Sequence, residues 1–141
     1  MMGLVYTGIT LKNASDTMAC KRGFIKEHEI REATLEALVD TGAATLVINE
    51  ELRQALGLDI QGTKQATLAN DEKEMVKIAD PVEVHWKNRK MTCQPWVVSG
   101  SGEILLGAIP LEDMDLKVDP AKHELVGAHG DEQVGILVGL K

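Results

Sequence analysis

Aromatic residues are scarce: two Trp, one Tyr and one Phe are 3% of the 141 positions. A core must therefore come from Val, Ile, Leu, Met and Ala, which suits strands and short helices alike. Cysteine is limited to Cys20 and Cys93, far apart and in no Cys-x-x-Cys pairing. That argues against a disulfide framework and makes a reduced, cytoplasmic setting the default expectation. No apolar run is long enough to span a bilayer, so no membrane role is expected. The start, Met1-Met2-Gly3-Leu4-Val5-Tyr6, lacks the basic segment and apolar stretch of a secretion leader. There is no run of Lys or Arg, and the net charge is −7. Such a surface repels a polyanion, so nucleic acid is an improbable partner. His28, His85, His123 and His129 show no metal-ligand spacing, and no metal or cofactor is expected.

What is present is ordinary in bulk. Apolar residues at 44% and charged residues at 26% fit one soluble domain with a single core. Most of the chain reads as short strands between turns. Ile9-Thr10-Leu11 starts a strand, with Asn13-Ala14-Ser15-Asp16 as the turn after it. Lys26-Glu27-His28-Glu29 is charged and exposed. Ala33, Leu35, Ala37 and Val39 alternate with more exposed positions, predicting a strand with one firmly buried face that runs into Asp40. Thr45 to Ile48 is a short buried strand. Asn49 caps a helix through Leu52 and Leu56 that stops at Gly57, the only helix expected in the first half.

Further on, Ala66 to Ala69 and Met75 to Ile78 form a hairpin around the polar tip Asn70-Asp71-Glu72-Lys73. Asp80-Pro81 breaks the chain. Val82, Val84 and Trp86 form a half-buried strand. Lys87 to Lys90 is a turn, and Met91 to Val98 returns as the partner strand. A Ser99-Gly100-Ser101-Gly102 loop leads into Ile104-Leu105-Leu106-Gly107. Pro110 opens a short helix, Leu111 to Met114. Leu116 to Val118 and His123 to Val126 close as a hairpin. Gly127-Ala128-His129-Gly130 reads as a soft hinge between a domain of residues 1–126 and a tail of residues 127–141. Val134 to Leu140 is strand-like but Gly-rich, and fits an interface strand, a mobile tail or a segment lying in a neighbour's cleft.

The chemistry concentrates at Asp40-Thr41-Gly42-Ala43. Burying a carboxylate without partners is costly. Yet Asp40 stands between Ala37-Leu38-Val39 and Ala44 to Ile48. Gly42 lets the backbone turn its N–H groups towards the carboxylate. Thr41 supplies a hydroxyl, and Ala43 leaves room for a close partner. Asp, Thr and Gly also suit a plain turn. The apolar flanks and the capped helix that follows favour a site.

Val39-Asp40-Thr41-Gly42-Ala43 with Leu46-Val47-Ile48 resembles the active-site segment of retropepsins, the retroviral-type aspartic proteases, and of their small bacterial relatives. The second hallmark, two apolar residues and a glycine before a short helix, is matched by Leu105-Leu106-Gly107. Leu68 to Met75 resembles the flap, which places Ala69, Asn70 and Asp71 against substrate. The likeness runs over residues 4 to 126. It departs at Ala108, where retroviral members carry Arg or Asn, and at the flap tip, which has no glycine. The resemblance implies a mainly β, closed-barrel-like acid protease fold with one or two short helices. It also implies an aspartic endopeptidase acting on polypeptides. There is no second Asp-Thr/Ser-Gly, so the likeness implies a homodimer in which Asp40 of each subunit meets on the two-fold axis, braced by Thr41. Two other functions stand beside it: a non-catalytic dimerisation or peptide-binding module on the same fold, and a phosphate-handling enzyme. The second lacks the Lys or second acid that such loops need.

Overall fold

The computed structural model describes residues 3–68, 70–99 and 102–135. Strand β1 (Tyr6–Asn13) buries Ile9, Leu11 and Asn13. It pairs antiparallel with β2 (Glu32–Val39), Ile9 facing Leu35 and Leu11 facing Ala33. The alternation in β2 is as expected, but only Ala37 is fully buried; Ala33, Leu35 and Val39 are half-covered by the core.

Between these strands the chain does not make the expected turn at Asn13–Asp16. It forms helix α1 (Ala14–Lys21). Asn13 is its cap: the side-chain oxygen accepts the Asp16 N–H at 3.1 Å, and the amide donates to Leu56 O at 2.9 Å. Turn residues and N-cap residues are the same types, since both use a short polar side chain to bond nearby backbone. α1 buries none of its residues fully, so no apolar stripe announced it. Asp16 then holds Arg31 by two side-chain bonds of 2.8 and 2.9 Å and accepts the Arg31 N–H at 2.9 Å. That guanidinium keeps the Asp16 carboxyl below its ordinary value.

Strand β3 (Leu46–Asn49) is buried, and Asn49 accepts the Leu52 N–H at 2.7 Å to cap α2 (Glu50–Ala55). Strands β4 (Ile60–Thr67) and β5 (Lys73–Ala79) form the long hairpin. β6 (Val82–Trp86) pairs with β7 (Arg89–Cys93) around a turn of only Lys87 and Asn88. The expected Met91–Val98 strand is split. Pro95 lacks the N–H a ladder needs, and β8 (Trp96–Val98) leaves β7 to pair parallel with β3 and antiparallel with β5. β9 is Leu105–Leu106. Helix α3 covers Ala108–Asp113, starting before Pro110 and not after it. The first-turn N–H groups have no partner inside a helix, so Pro110 fits at the third position.

The nine strands form one sheet in the order β4-β5-β8-β3-β9-β2-β1-β6-β7. It is mainly β, as expected, and curls into a half-barrel with β4 and β7 at its two ends. Among the described residues three short α-helices accompany it. The core under the sheet gathers Ile9, Leu11, Leu46, Ile48, Leu106 and Met114. A second hairpin, β10 (Leu116–Asp119) and β11 (Glu124–Gly127), follows α3.

Residues 127–130 are not a soft hinge. Arg89, read as part of a turn, is 2% exposed. It donates to Met114 O at 2.8 Å, Gly130 O at 2.6 Å, Glu132 O at 3.1 Å and also Asp115 O. One buried cation thus ties the segment after β11 to the corner after α3. Of the expected terminal strand, residues 136–140 lie outside the described residues.

Candidate active site

Asp40 follows the last residue of β2, and the loop after it feeds β3. Strand β9 lies between the two. It runs parallel to β2, with Leu105 beside Leu38 and Leu106 beside Val39. It runs antiparallel to β3, with Leu106 beside Leu46 and Leu105 beside Val47. Entry and exit of the Asp40 loop are therefore two strand spacings apart, about 10 Å.

The loop is tied at each end. Asp40 N–H donates to Leu106 O at 3.0 Å, and Ala43 N–H to Asp40 O at 3.1 Å. Ala108 and Ile109, the first two residues of α3, donate to Ala43 O at 2.8 Å and Ala44 O at 3.0 Å. The otherwise unpaired amides of the helix start are spent on the loop. Gly107 makes this approach possible: a Cβ there would lie 2.3 Å from Thr45 O and 2.6 Å from Ala43 O. Its constraint is steric, because its φ of −89° suits any residue. Leu105, Leu106 and Gly107 thus assemble against Asp40, Thr41, Gly42 and Ala43, the two hallmarks read separately in the sequence.

The Asp40 side chain is half-buried and its Oδ1 accepts the Gly42 N–H at 3.0 Å. A Cβ on Gly42 would sit 3.2 Å from that oxygen, so glycine here gives the carboxylate space. Among the described residues no ion pair reaches Asp40, and the Thr41 hydroxyl, on the surface, has no hydrogen-bond partner. Beside Thr41 is a hollow of about 430 Å³ walled by Leu4, Val5, Val39, Val118 and Pro120, with His123 at its edge. Nothing in the sequence marked it, because its walls come from the N-terminus, β2 and the β10–β11 hairpin. Behind the loop, burial pushes the Cys93 thiol up to about 11, which keeps it a neutral thiol and a poor nucleophile.

Asn70 and Asp71 form the tip of the β4–β5 hairpin; Ala69 lies outside the described residues. Asp71 has φ 64° and donates to Leu68 O at 3.0 Å, while Asn70 Oδ1 accepts the Glu72 N–H at 3.1 Å. Aspartate tolerates the left-handed region better than most residues, so the tip turns without glycine. Most of β4 is exposed, and Met75 is 60% exposed. Among the described residues no hydrogen bond joins the tip to the Asp40 loop. Among the described residues, no three His, Cys, Asp or Glu side chains gather as a metal group.

Residues 27–113 match the family model described as gag-polyprotein putative aspartyl protease. The chain belongs to this family. The matched stretch holds both the Asp40 loop and Leu105-Leu106-Gly107 of the aspartyl protease fold. Among solved structures, the retroviral protease-like domain of Ddi1 from Leishmania major superposes with a TM-score of 0.54, at 13% identity over 89% of each chain. A retropepsin-like aspartic protease from Rickettsia conorii gives 0.50, at 21% identity over 83% of this chain and 85% of that one. At such identities these two likenesses speak for the retropepsin-like fold alone. No curated protein gives a significant match. Helix α1 precedes the segment shared with the aspartyl protease family.

Proposed function

We propose that this chain is an aspartic endopeptidase that works as a homodimer, the Asp40 of each copy forming one catalytic pair. The observation that carries this reading is the Asp40 loop itself. β9 and α3 tie it down by backbone bonds, yet its half-buried carboxylate has one internal donor among the described residues. Loops are rarely tied this tightly without a reason to fix a side chain in space. The unpartnered Thr41 hydroxyl and the apolar hollow beside it suit a second copy closing over the same face.

Two carboxylates brought together cannot both ionise easily, so the pair keeps one proton. The ionised member takes a proton from water as it attacks the peptide carbonyl. The protonated member polarises that carbonyl and then protonates the leaving amine. No covalent bond to the enzyme forms. The exposed β4–β5 hairpin suits a cover for a polypeptide bound in extended form, with backbone bonds along its length.

Asp40→Asn tests the reading. Incubated with an unfolded protein substrate at mildly acidic pH, the wild type should release peptides. The variant should lose activity about a thousandfold or more while keeping its fold and dimer. A pepstatin-type inhibitor should block the wild type. Undiminished cleavage by the variant overturns the proposal. A stable dimer without cleavage by the wild type would favour the non-catalytic module on the same fold.

A further inference from the structure

Helix α1 and the turn after it carry a surface that the Asp40 chemistry does not use. Met18, Ala19, Arg22, Phe24, Pro81 and Thr92 line an open groove of about 500 Å³ between α1, the start of β6 and the edge strand β7. Phe24 is the only Phe of the chain, and it is 79% exposed; Met18 is 47% exposed. A large aromatic ring left in water beside an apolar groove marks a contact surface more often than an isolated exposed side chain does.

The one charge that lines the groove is the cation Arg22, in a molecule of net charge −7. From Thr17 to Lys26 there are three cationic side chains and no acidic one. Lys21, Arg22 and Lys26 are exposed and make no ion pair among the described residues. Of the neighbouring acids, Asp16 is paired with Arg31 and Glu83 is bonded by Thr17 and His85, while Glu27 and Glu29 follow Lys26 in the chain and offset its charge. No acidic side chain lines the hollow; its one charged lining residue is Arg22, with Lys21 next to it in the chain.

We infer that this groove docks a partner polypeptide through one large apolar side chain flanked by Asp or Glu. The hollow takes the side chain, with Phe24 and Met18 closing over it. Arg22, with Lys21 beside it in the chain, pairs with the flanking acids, which steers encounter and fixes register. A second copy of this chain is a poor occupant, because a symmetric contact would set the same cations face to face. A lipid surface offers charge but no convex group to fill a hollow. The site lies outside the family-matched residues 27–113, apart from Pro81 and Thr92, and does not depend on whether Asp40 cleaves.

A random peptide display selection tests the inference. Asp40→Asn full-length chain serves as bait, so that captured peptides survive, with counter-selection against the same bait carrying Phe24→Ser. Enriched sequences should share one Leu, Ile, Phe or Trp within an acidic context. A synthetic peptide of that sequence should bind about tenfold more weakly to Arg22→Glu and weaken further as salt rises. Both variants should keep the wild-type unfolding transition. No enrichment, enriched sequences without acids, or equal binding to Arg22→Glu overturns the inference. Binding of phosphatidylserine vesicles, lost in the same variants and unmatched by any acidic peptide, would also overturn it and assign the patch to membranes.

Discussion

Asp40 was legible because three neighbours contradict its polarity and the two after it explain how the loop copes. Gly42 does what the sequence suggested by giving its N–H to the carboxylate. Gly107 was legible only as part of a pattern. Its role is to let α3 and the Asp40 loop touch backbone to backbone, and no local property of Leu105-Leu106-Gly107 reveals which atoms lie 2.3 Å away. Gly107→Ala should therefore destabilise the fold by about 3 kcal/mol, read as a lower urea midpoint at unchanged slope. The methyl can be accommodated only by moving Thr45 O or Ala43 O, and Ala43 O is the acceptor for the first amide of α3. A shift of a few tenths of a kcal/mol would show that the two backbones are not in contact. Phe24 belongs with the residues missed, since a lone Phe in a sequence is read as core until its exposure is seen.

At the level of elements, strands with clean alternation or clear boundaries were readable: β1, β2, β3, the β4–β5 hairpin, β6 and the β10–β11 hairpin. What failed was local chemistry with two uses. Asn13 and Asp16 serve a turn or a helix cap equally well, and only the buried bond from Asn13 to Leu56 O decides for the cap. Arg89 looked like turn filler beside Lys87, Asn88 and Lys90. It is instead the buried tie between the corner after α3 and residues 130–132. Arg89→Met keeps the apolar stem and removes every donor. The unpaired carbonyls should cost about 2–3 kcal/mol, and amides around residues 127–134 should exchange faster with solvent. Unchanged exchange there would mean that the segment is held by other contacts.

Across the whole molecule, net charge and composition gave a sound class but an averaged one. The value of −7 hid the adjacent cations Lys21 and Arg22, because sums erase position. The acidic side has its own consequence. Asp16 lies below its ordinary value through Arg31, and Asp115 through the His129 bond at 2.7 Å and the Val134 N–H at 3.0 Å. Carboxyls lowered by folding contribute stability that is complete above the unfolded value, about pH 4, and lost as pH falls through the folded one. The fold should thus stay intact at the mildly acidic pH where a shared-proton Asp pair works. Asp16→Asn should lower the melting temperature at neutral pH and flatten its fall below about pH 4; a parallel curve would remove Asp16 from that balance.

The symmetric pair remains the central claim, and subunit mixing tests it most directly. Wild-type chain is held at a fixed concentration while Asp40→Asn chain is added in rising excess, and peptide release is followed. If each site needs Asp40 from two copies, mixed dimers are dead and activity falls towards zero as the variant takes up the wild-type subunits. Activity that stays constant, with mixed dimers shown to form, would mean that one Asp40 suffices and would contradict the account.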